Sequence, residues 1–219
     1  MFNIFKFNNM KKIIILLTVI GFGFGLFTGT LFAQCKLTLG DIKILKGQTL
    51  INMQYDYTKM AVGKFKSDDE YVANKTKEMN KKKAGSGDEW AEKWKGDRES
   101  RFQPTFERIM NMATQHFNTT CKELASDAKY TLIVRTTFTE MGFSTFGYGY
   151  GPRKSAYISL TVDLVETSDP AKVLATMEMK REEGHYMGEL EVDAGLRIES
   201  CYERAGADLG DFLIREALR

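Results

Sequence analysis

The chain has 219 residues, of which 43% are hydrophobic and 27% are charged, so its composition is that of an ordinary globular protein. It contains 31 Lys and Arg residues against 29 Asp and Glu residues, which gives a formal net charge of +2. This balance excludes a strong positive field, and the sequence therefore predicts no nucleic-acid partner and no general attraction to anionic lipid.

Residues 1–34 have the pattern of an export signal and are not expected to contribute to the fold. Three lysines flank or precede an apolar run over residues 13–20, and we expect cleavage after Ala33 or Gln34. The sequence thus predicts an exported protein whose residues 35–219 form a single α+β domain.

Two alternatives would keep the protein at a membrane. The apolar stretch continues to Phe32 and approaches the roughly 20 residues that span a bilayer, although four glycines interrupt it. Cys35 could instead carry a lipid, although Gln34 stands where a bacterial lipoprotein signal normally has a small residue. Membrane association is expected only if the signal stays uncleaved or Cys35 is lipidated.

The first part of the domain combines extended segments with a charged insertion. Alternating residues over 51–58 predict a long strand, with a short strand from residues 37–44 beside it. Residues 67–101 are a helical insertion that begins with a Ser-x-x-Glu capping box. Its Trp90 and Trp94 are four residues apart and share a helix face, where they could stack on a small ligand or cover the core.

Two amphipathic helices are expected to pack on a sheet. Apolar residues recur at spacings of three and four from Phe102 to Phe117, while Gly96 and Pro104 predict a break or kink before this helix. A second apolar stripe predicts a final helix over residues 199–218. A right-handed parallel crossover from the first long strand would make the two helices run in the same direction.

Between the two helices, three runs alternate apolar and polar residues and predict a β-meander over residues 130–140, 156–166 and 172–180. The alternation assigns Phe138 to the apolar face of the first run. A sheet that is apolar on one face must be covered there, and the flanking helices can do so. The predicted fold is therefore α+β, in the order strand, helix, three-strand meander, helix, with a mostly antiparallel sheet and the helices on one face.

The connection between the first two meander strands is rich in glycine and aromatic residues. We predict a partner-binding surface there, formed by Phe143, Phe146, Tyr148, Tyr150 and Arg153. Rings and an arginine on an adaptable loop offer a large contact area at modest entropic cost. The alternative is that two or three of these rings fold back onto the sheet edge.

Three cysteines in an exported chain allow one disulfide and leave one thiol. In the expected topology Cys121 and Cys201 lie at opposite ends of the parallel helices, about 20 Å apart, which exceeds the Cα separation of about 7 Å that a disulfide tolerates. A bond between Cys35 and Cys201 is geometrically easier, and lipidation of Cys35 would rule it out.

The motifs of common catalytic and metal sites are missing from the sequence. His116 and His185 have no metal-ligand neighbour at a productive spacing, and no nucleophile elbow, phosphate-binding loop, Cys-x-x-Cys pair or calcium loop is found. Acidic pairs such as Glu182 and Glu183 are expected on solvated faces. The sequence therefore predicts no enzyme, no metal and no cofactor. The alternative is an enzyme or small-ligand receptor with its pocket near the two tryptophans.

Several stretches, together with the order of the elements, resemble a group of bacterial envelope proteins. The group includes the curli-secretion-channel lipoprotein, the amino-terminal domain of TolB and related secreted families. The stretches that carry the resemblance are 128–134, 155–165, 172–177 and 205–213. The signal ending Leu-Phe-Ala-Gln is similar to signals of Bacteroidetes.

The resemblance and the export signal together imply a protein of a Gram-negative envelope, in the periplasm or associated with the outer membrane. The expected function is a binding or assembly module without a catalytic site. We expect it to contact another envelope protein, or a second copy of itself, through a sheet edge or through the aromatic hairpin over residues 143–154.

Overall fold

The computed structural model describes residues 35–144, 153–185 and 193–219. Its strands are β1 (Lys36–Gly40), β2 (Leu50–Asp56), β3 (Ala61–Val62), β4 (Thr120–Glu123), β5 (Tyr130–Glu140), β6 (Phe143–Ser144), β7 (Arg153–Lys154), β8 (Tyr157–Glu166) and β9 (Asp169–Glu183). Its helices are α1 (Asp68–Lys82), α2 (Ser86–Asp97), α3 (Gln103–Thr114) and α4 (Ala194–Leu213). Short 3-10 turns lie at Lys43–Leu45 and Gln115–Phe117, and π-helical turns at Arg98–Phe102 and Ile214–Leu218.

One mixed sheet organises these elements, in the strand order β1-β9-β8-β5-β2-β4, with β3 beside β5. The strands β1, β9, β8 and β5 pair antiparallel, whereas β5, β2 and β4 pair parallel. Helices α3 and α4 pack against each other and cover one face, which we call the inner face. This arrangement confirms the predicted α+β class, the order of the elements and the mostly antiparallel sheet.

The inner face of the predicted meander is the core of the protein. The alternation holds as the sequence predicts from Ile158 to Leu164 in β8 and from Ala175 to Met179 in β9, where every second residue is buried, whereas Val173, also predicted to face inward, is 38% exposed. The inner residues of these two strands, each at most 2% exposed, are Ile158, Leu160, Val162, Leu164, Ala175, Met177 and Met179.

Phe138 was assigned to the wrong face by the alternation. The pairing of β5 with β8 contains a β-bulge between Thr136 and Phe138, which adds one residue to β5. Thr136 and Thr139 are therefore both buried, while Phe138 lies on the opposite, outer face and stacks on Tyr157 with ring centroids 5.4 Å apart. Because side chains alternate along a strand, one inserted residue reverses the face of the residues that follow it.

Helices α3 and α4 run in the same direction, as predicted. Phe102 stacks on Tyr202 with ring centroids 5.1 Å apart, and one turn later Phe106 lies against Gly206. A Cβ atom at Gly206 would stand 2.5 Å from the carbonyl oxygen of Phe106, so the helices approach closely only because this residue is glycine.

The insertion forms α1 and α2 and then continues into α3. The capping box is present in part: the Ser67 hydroxyl accepts a hydrogen bond from the Glu70 amide, but the Glu70 carboxylate accepts from Lys66 rather than from Ser67. The predicted interruption before α3 is a π-helical turn that follows α2 without a break, and Pro104 is the second residue of α3.

Three features of the fold differ from the predictions: the pairing of one strand, the presence of another and the start of a helix. The short strand β1 does not lie beside β2; it pairs with β9 at the opposite edge of the sheet. The edge strand β4 has too few residues to give a recognisable alternation and was not predicted. Helix α4 begins at Ala194, earlier than the apolar stripe indicates, because Asp193 caps it by accepting from the Gly195 amide.

Candidate functional site

Helices α3 and α4 cover only the inner face of the sheet, and a row of polar side chains crosses the outer face, where Ile133 and Val165 are buried at one end. Arg135 on β5 donates to Asp163 on β8 at 3.0 Å and also pairs with Asp56 on β2. Thr176 on β9 donates to Asp163 at 2.8 Å. The bond to Asp163 is the main reason that the pKa of Arg135 lies above its ordinary value. This row fixes the strands to one another and forms the floor of the outer face.

Next to this row, β5, β8 and β9 form a groove of about 410 Å³. The outward side chains that line it are Thr137, Tyr157, Ser159, Thr161, Glu178, Lys180 and Arg181. Its charges occur in neighbouring pairs: Lys180 bonds Glu178 at 2.8 Å, and Arg181 bonds Glu183 at 2.7 Å. The groove therefore offers hydroxyl groups and charges of both signs rather than a single strong field.

Two side chains that line the groove, Tyr157 and Arg181, belong to a stack of three. The guanidinium of Arg181 lies 4.5 Å from the centre of the Tyr157 ring, which in turn stacks on Phe138. Phe138 and Arg181 flank Tyr157 in this stack, and both lie where the backbone of their strand is irregular. The β5 bulge turns Phe138 outward, and Arg181 has a φ of 60° at an irregularity in the pairing of β8 with β9. Neither irregularity has a signature in the sequence.

The predicted hairpin extends from the end of the sheet where this stack lies. β6 pairs with β7, so that Phe143 lies opposite Lys154, and Phe143 is 47% exposed. Gly142 begins the hairpin with a φ of 61°, and a Cβ there would stand 2.4 Å from the Lys154 carbonyl oxygen. Arg153 lies in β7, whereas three of the predicted partner-binding residues fall outside the described ranges, namely Phe146, Tyr148 and Tyr150.

The two tryptophans of the insertion pack against each other and against other residues of the protein. Trp94 is 7% exposed, stacks on Trp90 with centroids 5.7 Å apart, and donates its indole N–H to Asp68 at 2.7 Å. Tyr71 meets both rings edge-on. The cavity beside Trp94 measures about 10 Å³, which is about the space of one water molecule. This packing favours the interpretation of the pair as a cover over the core, and the ligand-stacking interpretation remains a prediction that no bound molecule tests.

The predicted disulfide is not formed, because Cys35 and Cys201 are both free and buried. The thiol of Cys35 interacts with the charge of Asp208, in the second half of α4. Cys201 lies in the first half of α4, where its thiol donates to the Arg197 carbonyl oxygen at 3.2 Å. The charge of Glu182 acts on both thiols, so the two cysteines lie in the same region without forming a bond.

Burial also bears on the lipid-anchored alternative. Cys35 is 5% exposed and belongs to the hydrophobic core, and burial is the main cause that raises the pKa of its thiol to about 12. A lipid on this sulfur atom has to reach the bilayer, so the residue would first have to leave the core. The structure thus disfavours lipidation at this position.

Sequence reasoning missed a buried acid. Glu182, expected on a solvated face, is 0% exposed, and neither carboxyl oxygen has a hydrogen-bond donor. Burial foremost, and then the neighbouring Asp208, raises the pKa of Glu182 to about 8, whereas Arg204 opposes the rise. Two neighbouring carboxylates repel each other, so the charge of Asp208 favours the protonated form of Glu182. The backbone irregularity at Arg181 turns Glu182 inward, and the sequence gives no sign of it.

Within the described ranges, no three His, Cys, Asp or Glu side chains come together in a way that could hold a metal ion. Over the same residues, each helix is too short or too polar to cross a membrane.

No family model matches the chain, and no curated protein matches it by sequence. Among solved structures, the chain is similar to a PelC dodecamer from Paraburkholderia phytofirmans, with 11% identity over 78% of this chain and 97% of that chain and a TM-score of 0.35. It is also similar to protein XCC0632 of DUF330 from Xanthomonas campestris, with 9% identity over 76% of this chain and 83% of that chain and a TM-score of 0.33. At these TM-scores neither likeness carries an argument about this chain.

Proposed function

We propose that the protein is a binding or assembly module of the bacterial cell envelope, with its partner-binding surface on the outer face of the sheet and the adjoining hairpin. The observation that carries the proposal is the stack beside the groove, in which the half-buried rings of Phe138 and Tyr157 meet the exposed side chain of Arg181. Aromatic residues and arginine are enriched in the centres of protein interfaces, where they contribute most of the binding energy.

The chemistry of this surface suits a protein partner. The groove carries Glu178, Lys180 and Arg181 together with hydroxyl groups, so a partner can satisfy it with hydrogen bonds and charges of either sign. The exposed ring of Phe143 lies at the same end of the sheet and enlarges the surface. In this proposal the partner is another envelope protein or a second copy of the chain, and the protein binds without catalysing a reaction.

The envelope setting rests on the predicted export signal of residues 1–34 and on the resemblance to envelope proteins. We place the protein in the periplasm or at the outer membrane of a Gram-negative bacterium. Burial of Cys35 favours a soluble chain over one anchored through a lipid.

The test is partner capture from gently solubilised envelopes with a carboxyl-terminally tagged chain. One variant replaces Phe146, Tyr148 and Tyr150 with serine, and a second carries Tyr157→Ser in the stack. Both should lose the captured partner while their unfolding temperatures stay near that of the parent. The matched control is Met112→Ser on α3, where Met112 is 57% exposed on the side of the molecule away from the groove.

Capture that survives both changes would overturn the proposal. A collapsed fold in the triple serine variant would show instead that the hairpin rings belong to the core, and the Tyr157→Ser variant would then decide between the two explanations.

A further inference from the structure

The buried carboxyl of Glu182 lacks a cationic hydrogen-bond donor in a place where the protein needs one. It is fully buried, neither oxygen has a donor, and its acidic neighbour Asp208 adds a second carboxyl to the same region. An acid in such surroundings is costly unless a positive or protonated group bonds to it. A buried polar group without a partner therefore calls for an explanation.

The first residue of the described domain lies beside this acid. Strand β1 runs antiparallel to β9 with Lys36 opposite Glu178, so the next step along both strands places Cys35 opposite Met179. Because the strands are antiparallel, the amino-terminal side of Cys35 lies toward the part of β9 that leads to Glu182. Both residues are buried, and both belong to the inner side of the sheet.

The irregular backbone of β9 shortens the remaining distance. Three residues lead from Met179 to Glu182, but only two lead from Leu160 to Ile158 on the neighbouring strand, so β9 bulges here. Arg181, with a φ of 60°, is the residue that turns the chain and directs Glu182 inward. The charge of Glu182 also acts on the Cys35 thiol, which supports their proximity.

Other charged groups surround the acid from each element packed against it. Helix α4 contributes Asp208 and Arg204, which bond to each other at 3.0 Å, and the terminal turn contributes Arg215 near Cys35. The thiol of Cys201 faces the same region. Glu182 and Asp208 thus bring two carboxyls to the start of β1, where a further cation would complement them.

We propose that the chain is cut between Gln34 and Cys35, and that the α-ammonium created at Cys35 is the buried ionic partner of Glu182. The inference rests on the proposed export of the protein. Water hydrolyses the peptide bond: Gln34 leaves as a carboxylate, and Cys35 retains the nitrogen as an amine that takes up a proton. An α-amine has an ordinary pKa of about 8 and is charged beside a carboxylate at neutral pH.

This pairing selects one of the two expected cleavage positions. A cut after Ala33 would leave one more residue, and the ammonium would then lie about 3.3 Å farther along the extended chain. It also requires an unmodified Cys35, because acylation of the amine would remove the positive charge. The cut must precede the burial of Cys35, because a buried peptide bond is not accessible to hydrolysis.

The first readout is the intact mass of the tagged, full-length chain after export. The expected mass corresponds to residues 35–219 with the tag and with a free amine. A mature chain that begins at another residue, that retains residues 1–34, or that carries lipid on Cys35 overturns the proposal. This readout needs no substitution and therefore does not depend on whether a variant folds.

The second readout is the rate at which an acylating reagent modifies the α-amine at neutral pH, followed on the amino-terminal peptide by mass spectrometry. Pairing should make the reaction at least about tenfold slower in the parent than in Glu182→Gln, which corresponds to about one pKa unit. Glu183→Gln is the matched control, because Glu183 is exposed on the same strand and bonds Arg181.

Equal rates in the parent and both variants would contradict the pairing. Neither readout involves a partner, so a failure of partner capture would count against the proposed function and leave these two results unaffected.

Discussion

The two faces of the sheet are built from the same strands, yet their side chains serve different ends. On the inner face, residues such as Leu132 and Val134 are fully buried against α3 and α4. On the outer face, the same strands hold Arg135, which bonds Asp163, and Tyr157, on whose ring Arg181 stacks. The inner face therefore supplies the stability of the fold, and the outer face is the one that we propose for a partner.

Two bulges exchange residues between these faces. The bulge in β5 moves Phe138 from the expected core to the surface, and the bulge in β9 moves Glu182 from the expected surface into the core. Substitutions on the inner face should therefore change stability, and those on the outer face should change binding. The following predictions test this division.

The largest effect is expected in the centre of the inner face. Phe106 is fully buried between Tyr55 and Tyr202, with ring centroids 6.1 and 6.5 Å away. Phe106→Ala should lower the free energy of unfolding by about 3–5 kcal/mol, because it removes apolar contacts and leaves a cavity. Urea unfolding measures this change. Met112→Ala, on the exposed side of the same helix, should cost no more than about 0.5 kcal/mol.

A pH dependence should follow from the inward turn of Glu182 in a chain that retains the residues before Cys35. In the folded protein the Glu182 carboxyl has a pKa of about 8 and keeps its proton below that pH, whereas the ordinary pKa of a glutamate is 4.5. Folding therefore takes up a proton between these values, and stability should fall as the pH rises through this window, by an amount on the order of a few kcal/mol.

The measurement is the unfolding free energy at pH 5 and pH 9, with Glu182→Gln as the comparison. The glutamine variant should lose most of this dependence, since it cannot titrate. The mature chain that begins at Cys35 should also show a weaker dependence, because the ammonium stabilises the charged carboxylate. An equally steep dependence in the glutamine variant would assign the effect to another group.

A smaller effect separates two tyrosines on opposite faces. The Tyr202 hydroxyl is buried 2.6 Å from the Thr136 hydroxyl. Tyr202→Phe should cost about 1–3 kcal/mol, because a buried polar group loses its partner. Tyr157→Phe on the outer face should leave thermal stability almost unchanged. Similar losses from both substitutions would contradict the division between the faces.

The smallest stability effect is expected at the β5 bulge. Phe138→Ala removes an aromatic contact with Tyr157 at the surface and should cost only about 1 kcal/mol. Leu132→Ala, at a fully buried position of the same strand, should cost about 2–5 kcal/mol. A loss of similar size at Phe138 would place that ring in the core, as the simple alternation suggested.

Much of the fold could be predicted because its signals are local and periodic. The alternation over residues 156–166 identifies the face of β8, and the spacing of the apolar residues in α3 and α4 identifies their packing stripes. The parallel direction of the two helices followed from the handedness of the crossover. Each of these features depends on a pattern that several residues repeat.

The site was harder to predict because it depends on single irregularities. One extra residue in β5 exposes Phe138, and a positive φ at Arg181 buries Glu182, yet neither changes the composition of its strand. The position of β1 was also hidden, since its few residues pair with β9, which follows more than a hundred residues later. The glycine-rich hairpin could be recognised as a loop, but its chemistry did not reveal the groove beside it.

The most direct test of the account is the native mass spectrum of the tagged protein after gentle solubilisation of the envelope. The account predicts a defined complex with another protein, or a closed homo-oligomer, for the parent chain and for Met112→Ser. It predicts that Tyr157→Ser yields a folded monomer. A bare monomer in the parent, or a complex that persists in Tyr157→Ser, would contradict the claim that the outer face of the sheet binds the partner.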